Sequence, residues 1–206
     1  MLEFFIAALV IGIAPGPDNL FVLAQSATYG ARLGFCIILG LCTGIAIHTC
    51  LLVAGVSALI AASPTAFFVI QCLGAAYLLY LAYKSFGVKA GVVQMNGDSR
   101  SEPGMTSARS LYMRGIIMNL TTPKVILFVL SLIPPAVRLD RPIHPSLQMA
   151  IFGGEFILAT MIVFGCIALL AGTVKKFLLT SPKANRNLNW FSGAVFVFLA
   201  VALFFV

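Results

Sequence analysis

Apolar residues run through this chain in six long stretches, at about 3–30, 33–61, 66–86, 112–135, 146–171 and 189–206. Each is 18 or more residues long, against the about 20 predominantly apolar residues that a helix needs to cross roughly 30 Å of hydrocarbon. The shortest, 189–206, covers about 27 Å at 1.5 Å per residue. Punctuation falls between the stretches. Gly30 ends the first, Ser63-Pro64 caps and starts the third, Pro134-Pro135 closes the fourth, and Asn187 or Asn189 opens the sixth. The pattern predicts an all-α polytopic membrane protein with six transmembrane helices.

Composition agrees. Of 206 residues, 61% are apolar and only 9% are charged, against about 25% charged in a soluble domain. Mean hydropathy is +1.06. The N-terminus MLEFFIAALVIGIAPGP has no basic leader and carries Glu3, so it reads as a retained first span rather than a cleaved signal. Five cysteines (Cys36, Cys42, Cys50, Cys72, Cys166) sit inside apolar runs without C-x-x-C spacing, which gives no support for a metal or a disulfide.

The net charge of +7 is placed as a topology signal, not as a nucleic-acid patch. Alternate loops carry Arg32; Lys84, Lys89, Arg100, Arg109 and Arg114; and Lys175, Lys176, Lys183 and Arg186. The opposite loops carry Arg138 and Arg141 alone. The positive-inside bias puts the first set in the cytoplasm and both termini outside. Segment 87–111, rich in Gly, Ser and charge, reads as a flexible cytoplasmic linker between a first unit at 1–86 and a second at 112–206.

Those units repeat a motif. The first run is broken near its middle by Pro15-Gly16-Pro17-Asp18-Asn19, and the fourth by Asn119-Leu120-Thr121-Thr122-Pro123-Lys124. Phe-Val-Leu follows each break, at 21–23 and 128–130. Three spans per unit make the units face opposite ways, as two inverted three-helix repeats with broken helices 1 and 4, an architecture that binds substrate at the repeat interface. Each proline lacks an N–H and displaces the carbonyl four residues back. Pro15 and Pro17 free the carbonyls of Ile11 and Ile13, and Pro123 frees that of Asn119; none can be left facing lipid. Each half-helix beyond a break begins with exposed amides suited to an anion.

Away from the span ends, between the two membrane interfaces, lie four ionisable residues: Asp18, His48, Lys124 and Glu155. Intramembrane charge is expensive and points to function. Asp18 and Lys124 occupy near-equivalent places in the two units with opposite sign. They suit either a buried ion pair or a zwitterionic ligand. In the second case Asp18 takes an ammonium or a coupling proton, and Lys124 with the half-helix amides takes a carboxylate. His48 suits helix packing or a proton relay. Glu155 suits an extracellular gate or an outward-reaching side chain. Gly12-x-x-x-Gly16 and Gly40-x-x-x-Gly44 allow close helix approach and leave room for a homodimer.

The residues around these positions resemble the LysE/RhtB superfamily of amino acid exporters. The resemblance is carried by P-G-P-D-N, Gly30 with Arg32 and Gly34, Gly40 and Gly44, His48, and Gly74-Ala75-Ala76-Tyr77-Leu78. It continues in Arg114-Gly115, Asn119 and Pro123-Lys124, with Thr122 where the family usually has Asn. The fifth and sixth runs match in hydropathy only. The resemblance implies a bacterial inner-membrane exporter of small amino acids or close derivatives, such as lysine, threonine or homoserine, driven by proton antiport. Substrate binding is expected at Pro15, Gly16, Pro17, Asp18, Asn19, Asn119, Pro123 and Lys124, and proton coupling at Asp18 and His48. Its partners are then an amino acid, protons and the lipid bilayer, with no cofactor, metal or nucleic acid.

Two other readings remain weighed against it. A divalent-cation exporter of the same superfamily would need converging carboxylates or thiolates, and the spans offer Asp18 and Glu155 with scattered cysteines. An intramembrane enzyme would need a nucleophile–base pair or metal ligands, and neither G-x-S-x-G nor H-E-x-x-H occurs.

Overall fold

The structure is a computed structural model that describes residues 2–14, 16–62, 64–87, 107–138, 142–171, 173 and 182–202. Among the described residues its elements are eight helices: α1 (Leu2–Ile13), α2 (Pro17–Tyr29), α3 (Ala31–Ala62), α4 (Pro64–Gly87), α5 (Ala108–Thr121), α6 (Pro123–Ala136), α7 (Pro145–Leu169) and α8 (Pro182–Ala202). No strand occurs among the described residues. Among these residues, Ala31–Gly55 and Pro145–Leu169 are long and apolar enough to cross a membrane. The number rises to four if each of two bent pairs counts as one span.

The bent pairs are the two predicted breaks. α1 and α2 meet at 62°, and α5 and α6 meet at 63°. Pro17 and Pro123 are the first residues of α2 and α6, where a missing N–H deprives no helical turn of a bond. Pro15 lies outside the described residues, as do Lys89, Arg100, Arg141, Lys175, Lys176 and most of the linker.

Helix ends follow local chemistry. Gly30 closes α2 at φ 89°, a backbone region that favours glycine, and its N–H reaches the Ser26 carbonyl at 2.9 Å. Ser107 caps α5 by accepting from the Ser110 amide at 3.1 Å. Two boundaries differ from expectation. The sixth helix opens at Pro182, a proline at the first helical position, so Asn187 and Asn189 lie within it. Pro134 and Pro135 sit inside the last turn of α6, which ends at Ala136 because the Val137 amide bonds back to the Pro134 carbonyl.

Packing places α3 and α7 at the centre. α5 and α2 lie against α3, α1 lies against α7, and α4 packs on α8. The glycine spacings are used within the chain. A methyl group on Gly40 would strike the Tyr112 carbonyl, and one on Gly115 would strike the Ile37 carbonyl. α3 and α5 therefore touch backbone to backbone, a contact that small residues allow in lipid. Thr43 and Tyr112 join the same two helices by a 2.9 Å hydroxyl–hydroxyl bond.

Two apolar clusters flank the breaks. The first gathers Phe4, Ala8, Phe128, Ile133, Phe152 and Phe156, chiefly from α1, α6 and α7. Its phenylalanines interlock: ring centroids are 4.9 Å apart for Phe4–Phe152, 5.6 Å for Phe4–Phe128 and 4.8 Å for Phe128–Phe156. The second gathers Val22, Ile37, Ile38, Leu41, Leu111 and Phe164 from α2, α3, α5 and α7.

Candidate functional site

Between the two clusters lies a cavity of about 20 Å³, lined by Asp18, Asn119, Lys124 and Thr160 among apolar side chains that include Ile45, Phe156 and Phe164. That is room for about one water molecule. The breaks bring Asp18 and Lys124 from opposite halves of the sequence onto the same small space.

At the first break the carbonyls left over by α1 are met by side chains. Asn19 Nδ2 donates to the Gly12 carbonyl at 2.7 Å, and Lys124 Nζ donates to the Ala14 carbonyl at 3.0 Å. Lys124 is thus a stitch from α6 back to the end of α1, a position where cations are favoured. Gly16 precedes α2 in extended conformation, with no side chain capping the helix. The amides of Asp18 and Asn19 therefore begin α2 without a capping acceptor.

The second break is met differently. Thr121 Oγ1 lies 2.8 Å from the Ile117 carbonyl, and Thr122 Oγ1 lies 2.7 Å from that of Met118. The Asn119 carbonyl, among the last of α5, receives the Thr122 amide at 3.2 Å, with the His48 imidazole beside it. Thr122 Oγ1 also donates to Asp18 Oδ1 at 3.1 Å, tying the two breaks together. Asp18, Asn119 and Thr122 are 4%, 2% and 6% exposed, so these bonds form away from bulk water. Asn19 Oδ1 and Asn119 Oδ1 are buried with no partner among the described residues. A buried acceptor of this kind is available to a ligand's donor.

The expected site residues separate into groups. Asp18, Asn119 and Lys124 line the cavity, Asn19 and Gly16 stand beside it, and Pro17 and Pro123 set the half-helices. His48 lies beside the Asn119 carbonyl and does not line the cavity, and its Nε2 is buried with no partner among the described residues. Glu155 does not line the cavity, and its Oε2 is buried without a partner among the described residues. Thr122 and Thr160 were missed as site residues. The Thr-Thr-Pro-Lys run could have exposed Thr122, since a hydroxyl beside a proline break has a freed carbonyl to serve. Phe156 and Phe164 carry no such signal, being apolar residues in an apolar helix. Among the described residues no three His, Cys, Asp or Glu side chains cluster as metal ligands.

The profile of the LysE type translocators matches residues 9–205. The chain belongs to this family. Within it, the chain is 31% identical over 196 residues to a membrane protein of Bacillus subtilis called YrhP and described as uncharacterized, covering 93% of this chain and 91% of that one. An uncharacterized membrane protein of Vibrio cholerae is 28% identical over 196 residues, 95% and 92% of the two chains. A leucine efflux protein of Salmonella choleraesuis is 29% identical over 200 residues, 97% and 92% of the two chains. No solved structure matches the chain. The LysE translocator is therefore a membrane protein of a transporter family, related to a protein named for amino acid export.

Proposed function

We propose that this LysE translocator is a secondary active exporter that carries an amino acid out of the cytoplasm in exchange for protons. The observation that carries the reading is the meeting of Asp18 and Lys124, with two half-helix N-termini, on one cavity between two breaks. The carboxylate of a zwitterion would lie against the α2 and α6 amides and Lys124. Its ammonium would lie against Asp18 and the unpartnered oxygens of Asn19 and Asn119. The apolar remainder of the lining, Ile11, Ile45, Val125, Phe156 and Phe164, suits an aliphatic side chain, and the relative named for leucine efflux supports that choice.

The reading includes six spans in two inverted repeats. It is supported by the near-equal bends of 62° and 63° and by the matched packing of α5 on α3 and α1 on α7. It places the basic loops in the cytoplasm. The edge contact of Phe86 with Trp190 supports this by bringing the ends of α4 and α8 that carry Lys84 and Arg186 together. With both termini outside, the phenylalanine cluster closes the cavity from the outer face and the Val22–Leu111 cluster closes it from the inner face. Each parts in turn, which is alternating access.

The test compares cells overproducing the wild type or Asp18→Asn at equal membrane levels, with amino acid release profiled after loading by leucine-containing peptides. Selective leucine release by the wild type, lost in the variant, is expected. Equal release by both would overturn the role of Asp18, and no release above empty-vector cells for any amino acid would overturn amino acid export.

A further inference from the structure

The Thr122 hydroxyl has one proton and two acceptors. Met118 O lies 2.7 Å away and Asp18 Oδ1 lies 3.1 Å away. The Met118 carbonyl depends on side-chain hydroxyls, because the amide that would meet it in a continuous helix, that of Thr122, bonds to Asn119 O instead. Its second hydroxyl neighbour is Thr121 Oγ1, at 3.2 Å. We propose that Thr122 is a positioning residue that reports the proton on Asp18 to the break between α5 and α6. The proposal rests on the reading of Asp18 as the proton-coupling group.

The two arrangements balance without any added group. With Asp18 protonated, its O–H donates to Thr122 Oγ1 while the Thr122 hydroxyl donates to Met118 O, and both of those oxygens are served. When Asp18 gives its proton to water on the face to which the cavity is open, the carboxylate needs a donor. The Thr122 hydroxyl then turns to Oδ1, and the Thr121 hydroxyl turns from Ile117 O to Met118 O. Loss of one proton in α2 is thereby transferred as a change of hydrogen bonding at the end of α5. A buried carbonyl that exchanges partners in this way alters how firmly its turn is held. The groups facing Asp18 from its neighbours are few. Lys124 comes from α6, and Thr160 from α7 is neutral. His48 from α3 lies beside the Asn119 carbonyl, and neither it nor Glu155 of α7 lines the cavity. Lys124 remains bonded to Ala14 O in the structure, so Thr122 is the direct donor to Asp18.

The experiment is an infrared pH titration of the full-length protein in liposomes, following the carbonyl stretch of a protonated carboxyl. The band that Asp18→Asn removes is assigned to Asp18. Thr122→Val keeps the shape and removes the donor, so the carboxylate loses a charge-assisted bond and the band's midpoint moves up by about one pH unit. Thr122→Asn supplies an N–H that owes nothing to Met118, so its midpoint moves down. Thr122→Ser titrates with the wild type. A purely structural role would give no such opposite signs. Unchanged midpoints in both Thr122→Val and Thr122→Asn overturn the proposal while leaving Asp18 as a titrating group. The absence from wild type of any band that Asp18→Asn removes overturns the proton-coupling reading, and with it this one.

Discussion

The two helix breaks bend by almost the same angle, 62° and 63°, yet they are held by different chemistry. The first, at residues 14–18, borrows from outside its own loop: Lys124 reaches across from the other half to meet Ala14 O, and Asn19 reaches back seven residues to Gly12 O. The second, at 119–123, is largely served at home by Thr121, Thr122 and a backbone amide, with the His48 ring of α3 beside it. Proline sets the bend in both, but the satisfaction of freed carbonyls is a separate problem with separate solutions. The first break depends on tertiary structure for its integrity. The second lends it a lysine and a threonine.

The largest test of this contrast is Lys124→Met. It leaves Ala14 O unmet and Asp18 without a nearby cation, and it should end export and lower stability by about 3–5 kcal/mol, read by SDS titration in mixed micelles. Adding Asp18→Asn to Lys124→Met should recover part of that loss, since no buried charge then stands uncompensated. Additive losses would show the two groups to be independent. Asn19→Ala should be next, at about 1–3 kcal/mol for an unmet buried carbonyl, measured in the same titration. Gly44→Ala presses a methyl group onto the Asn119 side chain, 2.6 Å from its Cβ, and should loosen the second break by about 1–3 kcal/mol. His48→Phe should have the smallest effect on folding, at most about 1 kcal/mol, because Asn119 O keeps the Thr122 amide. If His48→Phe proves as damaging as Asn19→Ala, the second break is no more self-sufficient than the first.

Much of this was legible one residue at a time. Pro17 and Pro123 announced the two breaks, Pro64 and Gly30 announced helix ends, and the scarcity of charge made Asp18 and Lys124 conspicuous. Sequence periodicity could not say which carbonyls would be met by which side chains. Ile11 and Ile13 were expected to lose their partners at the first break, while the side-chain bonds there go to Gly12 and Ala14. The difference arises because the chain turns between α1 and α2 instead of continuing as one kinked helix. His48 was legible as an intramembrane ionisable group, but its place beside the Asn119 carbonyl requires knowing that α3 runs beside α5.

The sequence by itself determined that this is a helical membrane protein of the LysE type translocators, with proline breaks and opposite charges at matching places in its two halves. Those properties are local or compositional, and apolar runs of about 20 residues satisfy their backbone as helices when they cross a bilayer. Only the tertiary structure decided that Thr122 joins the two breaks, that Phe156, Thr160 and Phe164 of α7 wall the cavity, and that Gly40 and Gly115 lie backbone to backbone. In an apolar helix every face is hydrophobic, so no pattern along the chain marks the side that another helix will cover.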